Sequence, residues 1–392
     1  MRIHRVRENE SVYDIGREYG VSPLKIIENN ELENGRRLSV GHELLILIPT
    51  RTYNVKKGDS LDSIARRFGT KSETIKSFNP ELYNEDALYS GQLLAIKYDA
   101  PAYGMGAANG YYYAGCPREN VMRALPYMSY MTVCSAKALE NGEISVLFDD
   151  VELINLAKKN GIIPLMRIYM PDSQMLGDEF VGSAAILAKS RGYLGITLSS
   201  PVCGNKGCDE LDGMLLNMRK RLMELDLYLF IEADINGGCG CSEYADGCVL
   251  TYDKIHLSEI PSFEDGEMRA MISFAERCDS SRAFIDISPF AYCGDKYIDK
   301  RAAYSVCDRQ RGVLGYDEER MILTGELGRG RRAKTLVSES LENTKAKLRL
   351  ISELGYMGIS FDIMRTPLSE LLLFSVMFSM PPTSVRAPKC NP

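Results

Sequence analysis

The chain has 392 residues, 45% of them hydrophobic, and a formal net charge of -6 at pH 7. That length supports a large core together with accessory domains. No basic stripe emerges, which argues against nucleic acid or an anionic membrane as the main partner.

The opening, MRIHRVRENESVYDIG, contains no apolar stretch, so no signal peptide is expected and the product starts as a soluble cytoplasmic chain. Two similar units follow. Ser11-Val12-x-x-Ile15-x-x-x-Tyr19-Gly20 recurs as Ser60-Leu61-x-x-Ile64-x-x-x-Phe68-Gly69, and Ile26 and Asn30 recur as Ile75 and Asn79. A repeat at this period marks a tandem of small modules. In each, Ser11 or Ser60 is an N-cap ahead of an apolar helical pattern. Gly20 or Gly69 stops the first helix, and Val6 or Val55 lies in an opening strand. Strands at 46–48 and 94–96 close the units. The predicted order is strand, helix, helix, strand, over residues 1–49 and 50–97.

This pattern resembles the LysM family, with Tyr53-Asn54-Val55-Lys56-Lys57-Gly58-Asp59-Ser60-Leu61 close to its usual opening. The resemblance implies binding of N-acetylglucosamine-containing glycans such as peptidoglycan or chitin. The ligand would lie between the loop before the first helix and the loop after the second. The implied glycan-binding residues are Gly58, Asp59, Ser60, Asn79 and Pro80 in the second copy, and Glu10, Ser11 and Asn30 in the first. Read as residue types alone, the serines and asparagines are equally well caps and turn residues.

Residues 98–110 are rich in Gly and Ala and read as a linker. From 111 to 392, strands and helices alternate. Strands are expected at 111–115, 130–135, 162–169, 193–198, 228–233, 247–252, 283–288 and 357–361. Helices are expected at 151–160, 180–191 and 209–225. This alternation predicts an α/β fold, a (β/α)8 TIM barrel, behind the two small βααβ modules. The apolar run at 371–378 is too short to span a bilayer.

The fourth strand carries the sharpest observation. The segment RGYLGITLSSP at 191–201 has the frame of the family-18 glycoside hydrolase motif D-x-x-D-x-D-x-E, but its acidic positions read Leu194, Thr197, Ser199 and Pro201. Leu250-Thr251-Tyr252-Asp253 resembles that family's strand-six motif, and GYMGISF at 355–361 its strand eight. With two LysM-like units, the chain resembles the spore cortex-lytic N-acetylglucosaminidases of endospore formers. Family-18 enzymes use substrate-assisted hydrolysis, in which a Glu protonates the leaving oxygen. Without that acid, general-acid help of about 10²–10⁴-fold is lost. By the same resemblance Tyr252 and Asp253 contact an acetamido group, although Tyr252 reads equally as a strand-end core aromatic. Asp362 stands where the family has a Trp. The chain has no Trp at all against 22 Tyr, which weighs against a normal cleft that stacks sugar rings on indoles. The alternative is a relocated acid among Glu232, Asp234, Asp253, Asp286 and Asp362, because barrel chemistry sits at the C-terminal ends of the strands.

Eleven cysteines are present. Cys203, Cys208, Cys239 and Cys241 fall on neighbouring loops, with Cys248 opening strand six. Their spacing leaves a zinc site, a disulfide and free thiols open. No cofactor is otherwise expected. The expected function is binding of peptidoglycan or another N-acetylglucosamine polymer in the spore envelope or cell wall, with a barrel that does not hydrolyse it. The alternatives are an active glycosidase with relocated carboxylates and a cross-linked structural coat protein with other coat proteins as partners.

Overall fold

The computed structural model describes residues 1–33, 38–83, 88–98, 106–170, 177–199, 209–236, 244–252, 260–287, 290–294, 296–328, 330 and 333–363. The N-terminal repeats form two βααβ units. The first joins β1 (Arg2–Arg5) antiparallel to β2 (Glu43–Ile46) around helices Val12–Tyr19 and Pro23–Asn29. The second joins β3 (Pro49–Asn54) to β4 (Leu93–Tyr98) around helices Leu61–Phe68 and Ser72–Phe78.

The repeated residues do the same work twice. Ser11 Oγ accepts from the Asp14 N–H while the Ser11 N–H donates to the Asp14 carboxylate, and Ser60 and Ser63 form the same capping box. Gly20 and Gly69 end the helices at φ 65° and 66°, where any side chain is strained. Ile15, Ile26 and Leu44 fill one small core, and Ile64, Ile75 and Leu94 the other. Asn30 and Asn79 are spent on holding strand to helix. The Asn79 amide donates to the carbonyls of Ile75 and Ala95 and accepts from the Ala95 N–H, and the residue is fully buried. Asn30 bonds Ile26 and Leu45 in the same pattern.

The rest of the chain closes an eight-stranded parallel barrel. Its strands are β5 (Ala107–Tyr112), β6 (Tyr130–Ala138), β8 (Ile163–Tyr169), β9 (Gly195–Ser199), β10 (Tyr228–Asp234), β11 (Gly247–Thr251), β12 (Ala283–Asp286) and β18 (Gly358–Asp362). Pairing of β5 with both β6 and β18 closes the ring. A short antiparallel β7 (Ile144–Val146) adds to β6 outside it. The first strand begins at Ala107 rather than at residue 111, inside the stretch that reads as linker. Its GAANG composition misleads because Gly110 is packed too closely for a side chain: a Cβ there would lie 2.3 Å from the Met128 sulfur.

Between β12 and β18 the sequence reading missed a separate unit. A five-stranded antiparallel sheet, ordered β14-β13-β17-β16-β15, comprises β13 (Phe290–Cys293), β14 (Lys296–Asp299), β15 (Gly315–Asp317), β16 (Ile322–Leu327) and β17 (Lys334–Glu339), with helix Lys300–Gln310 against it.

This unit is joined to the first βααβ module. The Leu314 N–H donates to the Val40 carbonyl at 2.8 Å. Asp308 accepts from the Ser39 N–H at 2.7 Å and pairs with His42 at 3.2 Å. The Arg5 guanidinium lies 3.5 Å from the Tyr316 ring centroid. Glu43 takes the Arg5 guanidinium on one oxygen and the Leu341 N–H, at the start of helix Leu341–Glu353, on the other. At Gly41 a Cβ would sit 1.9 Å from the Leu314 carbonyl oxygen, so only glycine permits the contact.

Replacing Asn79 with Ala strands buried backbone groups of Ile75 and Ala95. We expect Asn79→Ala to lower unfolding free energy by about 2–4 kcal/mol, read as a drop in the urea midpoint with an unchanged slope.

Candidate functional site

Side chains alternate along each barrel strand, so every second residue points inward. The floor of the interior is apolar. Tyr130, Phe230 and Phe284 pack there with ring centroids 5.5–6.2 Å apart. Above them lies a polar layer in which Asn109 donates to Ser360 at 3.0 Å and accepts from Thr132 at 2.9 Å.

The mouth is organised around Arg167 of β8. Its guanidinium donates to both Glu232 oxygens, at 2.6 and 2.8 Å, and to Ser199 Oγ at 2.6 Å. Tyr111 donates its hydroxyl to Glu232 Oε1 at 2.7 Å. Burial opposes the guanidinium charge, but Glu232 beside it more than offsets this, and the Arg167 pKa is raised. Burial first, then the Glu232 charge, push the Tyr111 phenol well above its usual range.

The motif positions therefore read as follows. Leu194 precedes β9. Thr197 is fully buried on the inner face, and its hydroxyl has no partner among the described residues. Ser199 is taken by Arg167. Pro201 lies outside the described residues. Arg167 itself was missed in the sequence, although a charged residue inside the strand IPLMRIY, at an inward position, was the available signal.

The relocated-acid candidates divide. Both Glu232 oxygens accept from Arg167, and Oε1 also from Tyr111, so neither is free to face a scissile oxygen. Asp234 accepts from the Asn236 N–H at 2.7 Å and shapes a turn. Asp253 lies outside the described residues. Asp362 is buried beside Cys116 and Tyr113. Asp286 makes no hydrogen bond or ion pair among the described residues. Burial raises its pKa to about 7, with Lys347 opposing and Glu232, Glu339 and Asp362 adding repulsion. Lys347 is in turn held between Glu267 and Glu339, 2.9 Å from each. Tyr252 follows β11 directly and is partly buried, with its hydroxyl 2.9 Å from where a Gly266 Cβ would stand.

In the second βααβ unit, Asp59 and Ser60 border an open cleft of about 680 Å³ together with Leu61, Asp62, Ser72 and Lys76. Gly58 turns the chain into it at φ 86°. The Tyr53 hydroxyl and the Lys56 N–H fix the Asp59 carboxylate and hold its pKa below the usual range. Asn79 is too buried to reach a ligand, and Asn30 gives its amide to the backbone. Pro80 follows Asn79, at Pro80–Tyr83. In the first unit Ser11 is a cap, and Glu10 is tied to His4 at 2.8 Å and to the Arg7 N–H at 2.8 Å.

Cys203, Cys208, Cys239 and Cys241 fall outside the described residues. Cys248 packs in the outer hydrophobic layer between barrel and helices, away from the mouth, because its neighbour Val249 takes the inward position. Cys278 is disulfide-bonded. Burial pushes the thiols of Cys116 and Cys134 up to about 12 and that of Cys307 up to about 11, which disfavours thiolate chemistry there. His4, Glu10 and Glu18 could share a cation, but Arg7 reaches Glu18 and His4 is bonded to Glu10, so the group is already a closed ionic cluster. No helix among the described residues is long and apolar enough to cross a membrane.

The LysM domain family model matches residues 4–46 and 53–97, so the chain carries two LysM domains. Over 96% of this chain and 97% of that one, the fold matches the crystal structure of the spore cortex-lytic enzyme SleL of Bacillus megaterium QM B1551, with a TM-score of 0.72 and 18% identity. The Bacillus cereus SleL structure matches with a TM-score of 0.69 and 16% identity, over 96% of this chain and 98% of that one. YdhD, a candidate sporulation-specific glycosylase of Bacillus subtilis (strain 168), is 27% identical over 238 residues, which is 57% of this chain and 56% of the relative. The chain thus spans about half the length of that relative.

The raised pKa of Asp286 gives a signed prediction. Its folded-state value of about 7 lies above the unfolded 3.8, so the folded state holds the extra proton between these values and stability falls as pH rises through that window. Asp286→Asn should match the parent protein in thermal unfolding below about pH 4 and exceed it above pH 7. The gain is on the order of a few kcal/mol at most.

Proposed function

We propose that this chain binds peptidoglycan, or another N-acetylglucosamine polymer, in the spore envelope or cell wall through its LysM domains, and that its barrel does not hydrolyse that glycan. The observation that carries the second half is the barrel mouth. An efficient glycosidase needs a protonated acid beside the scissile oxygen. Here Ser199 and Glu232 are both bonded to Arg167, and hydroxyls occupy the inward positions of β9. Arg167 and Glu232 neutralise each other at this place, so the pair supplies neither a free acid nor a free carboxylate.

The LysM match supports the first half, as does the open cleft beside Asp59 and Ser60. The fold shared with SleL supports a place in the spore envelope, where peptidoglycan is the glycan at hand. A structural coat role is the remaining class, and the raised thiol pKa values of Cys116, Cys134 and Cys307 count against cross-linking through those residues.

One observation favours a second reading. Asp286 makes no hydrogen bond or ion pair among the described residues and has a pKa raised to about 7, which suits a general acid near neutral pH. In that reading the barrel is a glycosidase with its acid moved from strand four to strand seven.

The binding proposal is tested by co-sedimentation with purified peptidoglycan. The full chain should pellet. Ser72→Trp, which fills the second-repeat cleft from its rim, should weaken pelleting by about tenfold or more with little change in melting temperature. Failure of the parent protein to pellet contradicts the proposal.

A further inference from the structure

We infer that Cys293 and Cys307 form a reversible disulfide that staples helix Lys300–Gln310 to strand β13 and so stiffens the platform on which the first LysM domain sits. Both are free cysteines in the structure. Strand and helix meet across a small core. Ala291 and Cys293 lie two residues apart and therefore point to the same face of β13. Ala303 and Cys307 lie four apart and share one face of the helix. Ala291, Ala303 and Cys307 are fully buried, and Cys293 packs partly buried against the core they form with Leu314, Leu327 and Leu336.

A disulfide needs Cα atoms about 4.4–6.8 Å apart. The facing alanines and cysteines are small, which lets the helix lie close to the strand, and Cα atoms of the two elements come within 8 Å of each other. The two thiols also act on one another: burial first, then Asp308, then Cys293 push the Cys307 thiol up. Access divides their roles. Cys307 is enclosed, so an outside reagent does not reach it. Cys293 is partly exposed beside the turn at Gly294. Cys293 is therefore the entry thiol and Cys307 the resolving thiol, within one chain.

The oxidant is a low-molecular-weight disulfide. The Cys293 thiolate attacks one of its sulfurs, forming a mixed disulfide and releasing one small thiolate. Cys307 gives its proton to water and attacks the Cys293 sulfur. The protein S–S bond forms, and the second small thiolate leaves and is protonated. Two protein thiols lose two electrons and the small disulfide gains them; excess dithiol reverses the exchange. The consequence lies on the same helix. Asp308, next to Cys307, holds the Ser39 N–H and His42 of the first LysM domain. Ser305 donates to Glu33, and Arg301 pairs with Glu31. Closing the short loop between the two cysteines restricts the unfolded segment and ties these contacts to the sheet.

The test treats the purified full chain with oxidised glutathione in one portion and excess dithiothreitol in another, at mildly alkaline pH. Free thiols are then alkylated, and tryptic peptides are mapped by mass without reduction. Trypsin cuts after Lys296 and Arg301, so the two cysteines fall on separate peptides. We expect Cys293 linked to Cys307 after glutathione and unlinked after dithiothreitol. In Cys307→Ala, Cys293 should persist as a glutathione adduct. Cys293→Ser, at a partly exposed position, should fold and leave Cys307 unmodified. Linkage should raise the melting temperature by about 5 °C and slow amide hydrogen exchange in helix Lys300–Gln310, with neither effect in Cys293→Ser. A glutathione adduct on Cys293 of the parent that never resolves, two unmodified thiols, or linkage of either to another cysteine would overturn the pair. Linkage with unchanged melting and exchange would overturn its role in the platform.

Discussion

The barrel mouth depends on the pairing of Arg167 with Glu232. A partly buried guanidinium among strands needs a carboxylate, and removing either partner leaves the other charge uncompensated. Glu232 answers with both oxygens, and Tyr111 and Ser199 complete the set. Four strands that lie far apart in the sequence are thereby tied at one level of the barrel. Of the family-18 motif positions, Ser199 is taken up by the same guanidinium, which also holds Glu232 of the next strand. Asp286 has its pKa raised by burial, with Lys347 opposing the shift and Glu232, Glu339 and Asp362 adding to it.

A second constraint joins recognition to the barrel. The first LysM domain is not tethered by a loose linker; its β2 edge and the turn at Val40–Gly41 are bonded to the inserted unit and to the start of helix Leu341–Glu353. The two LysM domains are therefore inequivalent despite their repeated sequence. The second keeps an open cleft beside its first helix, while the loop after the second helix of the first domain faces a protein wall. Glu31, in that loop, illustrates the change, since its carboxylate reaches Arg301 of the inserted unit.

Local signals made much of this legible. Ser11 with Gly20 and Ser60 with Gly69 mark helix starts and stops by their own backbone chemistry, and the structure uses each of them so. The barrel strands were legible for a similar reason: apolar runs such as IPLMRIY and YLFIEAD alternate with helical patterns. The inserted sheet was not, because its short antiparallel strands derive their stability from partners distant in sequence. The pairing of Tyr292 with Val337 is an instance. The candidate site was legible as a loss, in Thr197 and Ser199, but not as a replacement. Nothing in the sequence near Arg167 announces Glu232, which meets it only when β8 and β10 flank β9 in the closed ring. Asn79 and Asn30 carry the complementary lesson: an amide at a family ligand loop was in fact needed by the backbone.

The most direct measurement is mass spectrometry of cortex peptidoglycan fragments after incubation with the purified full-length protein, scoring new reducing ends. The account predicts none above the buffer control, with the protein bound to the fragments. Turnover that disappears in Asp286→Asn would contradict it and place a working acid on strand seven.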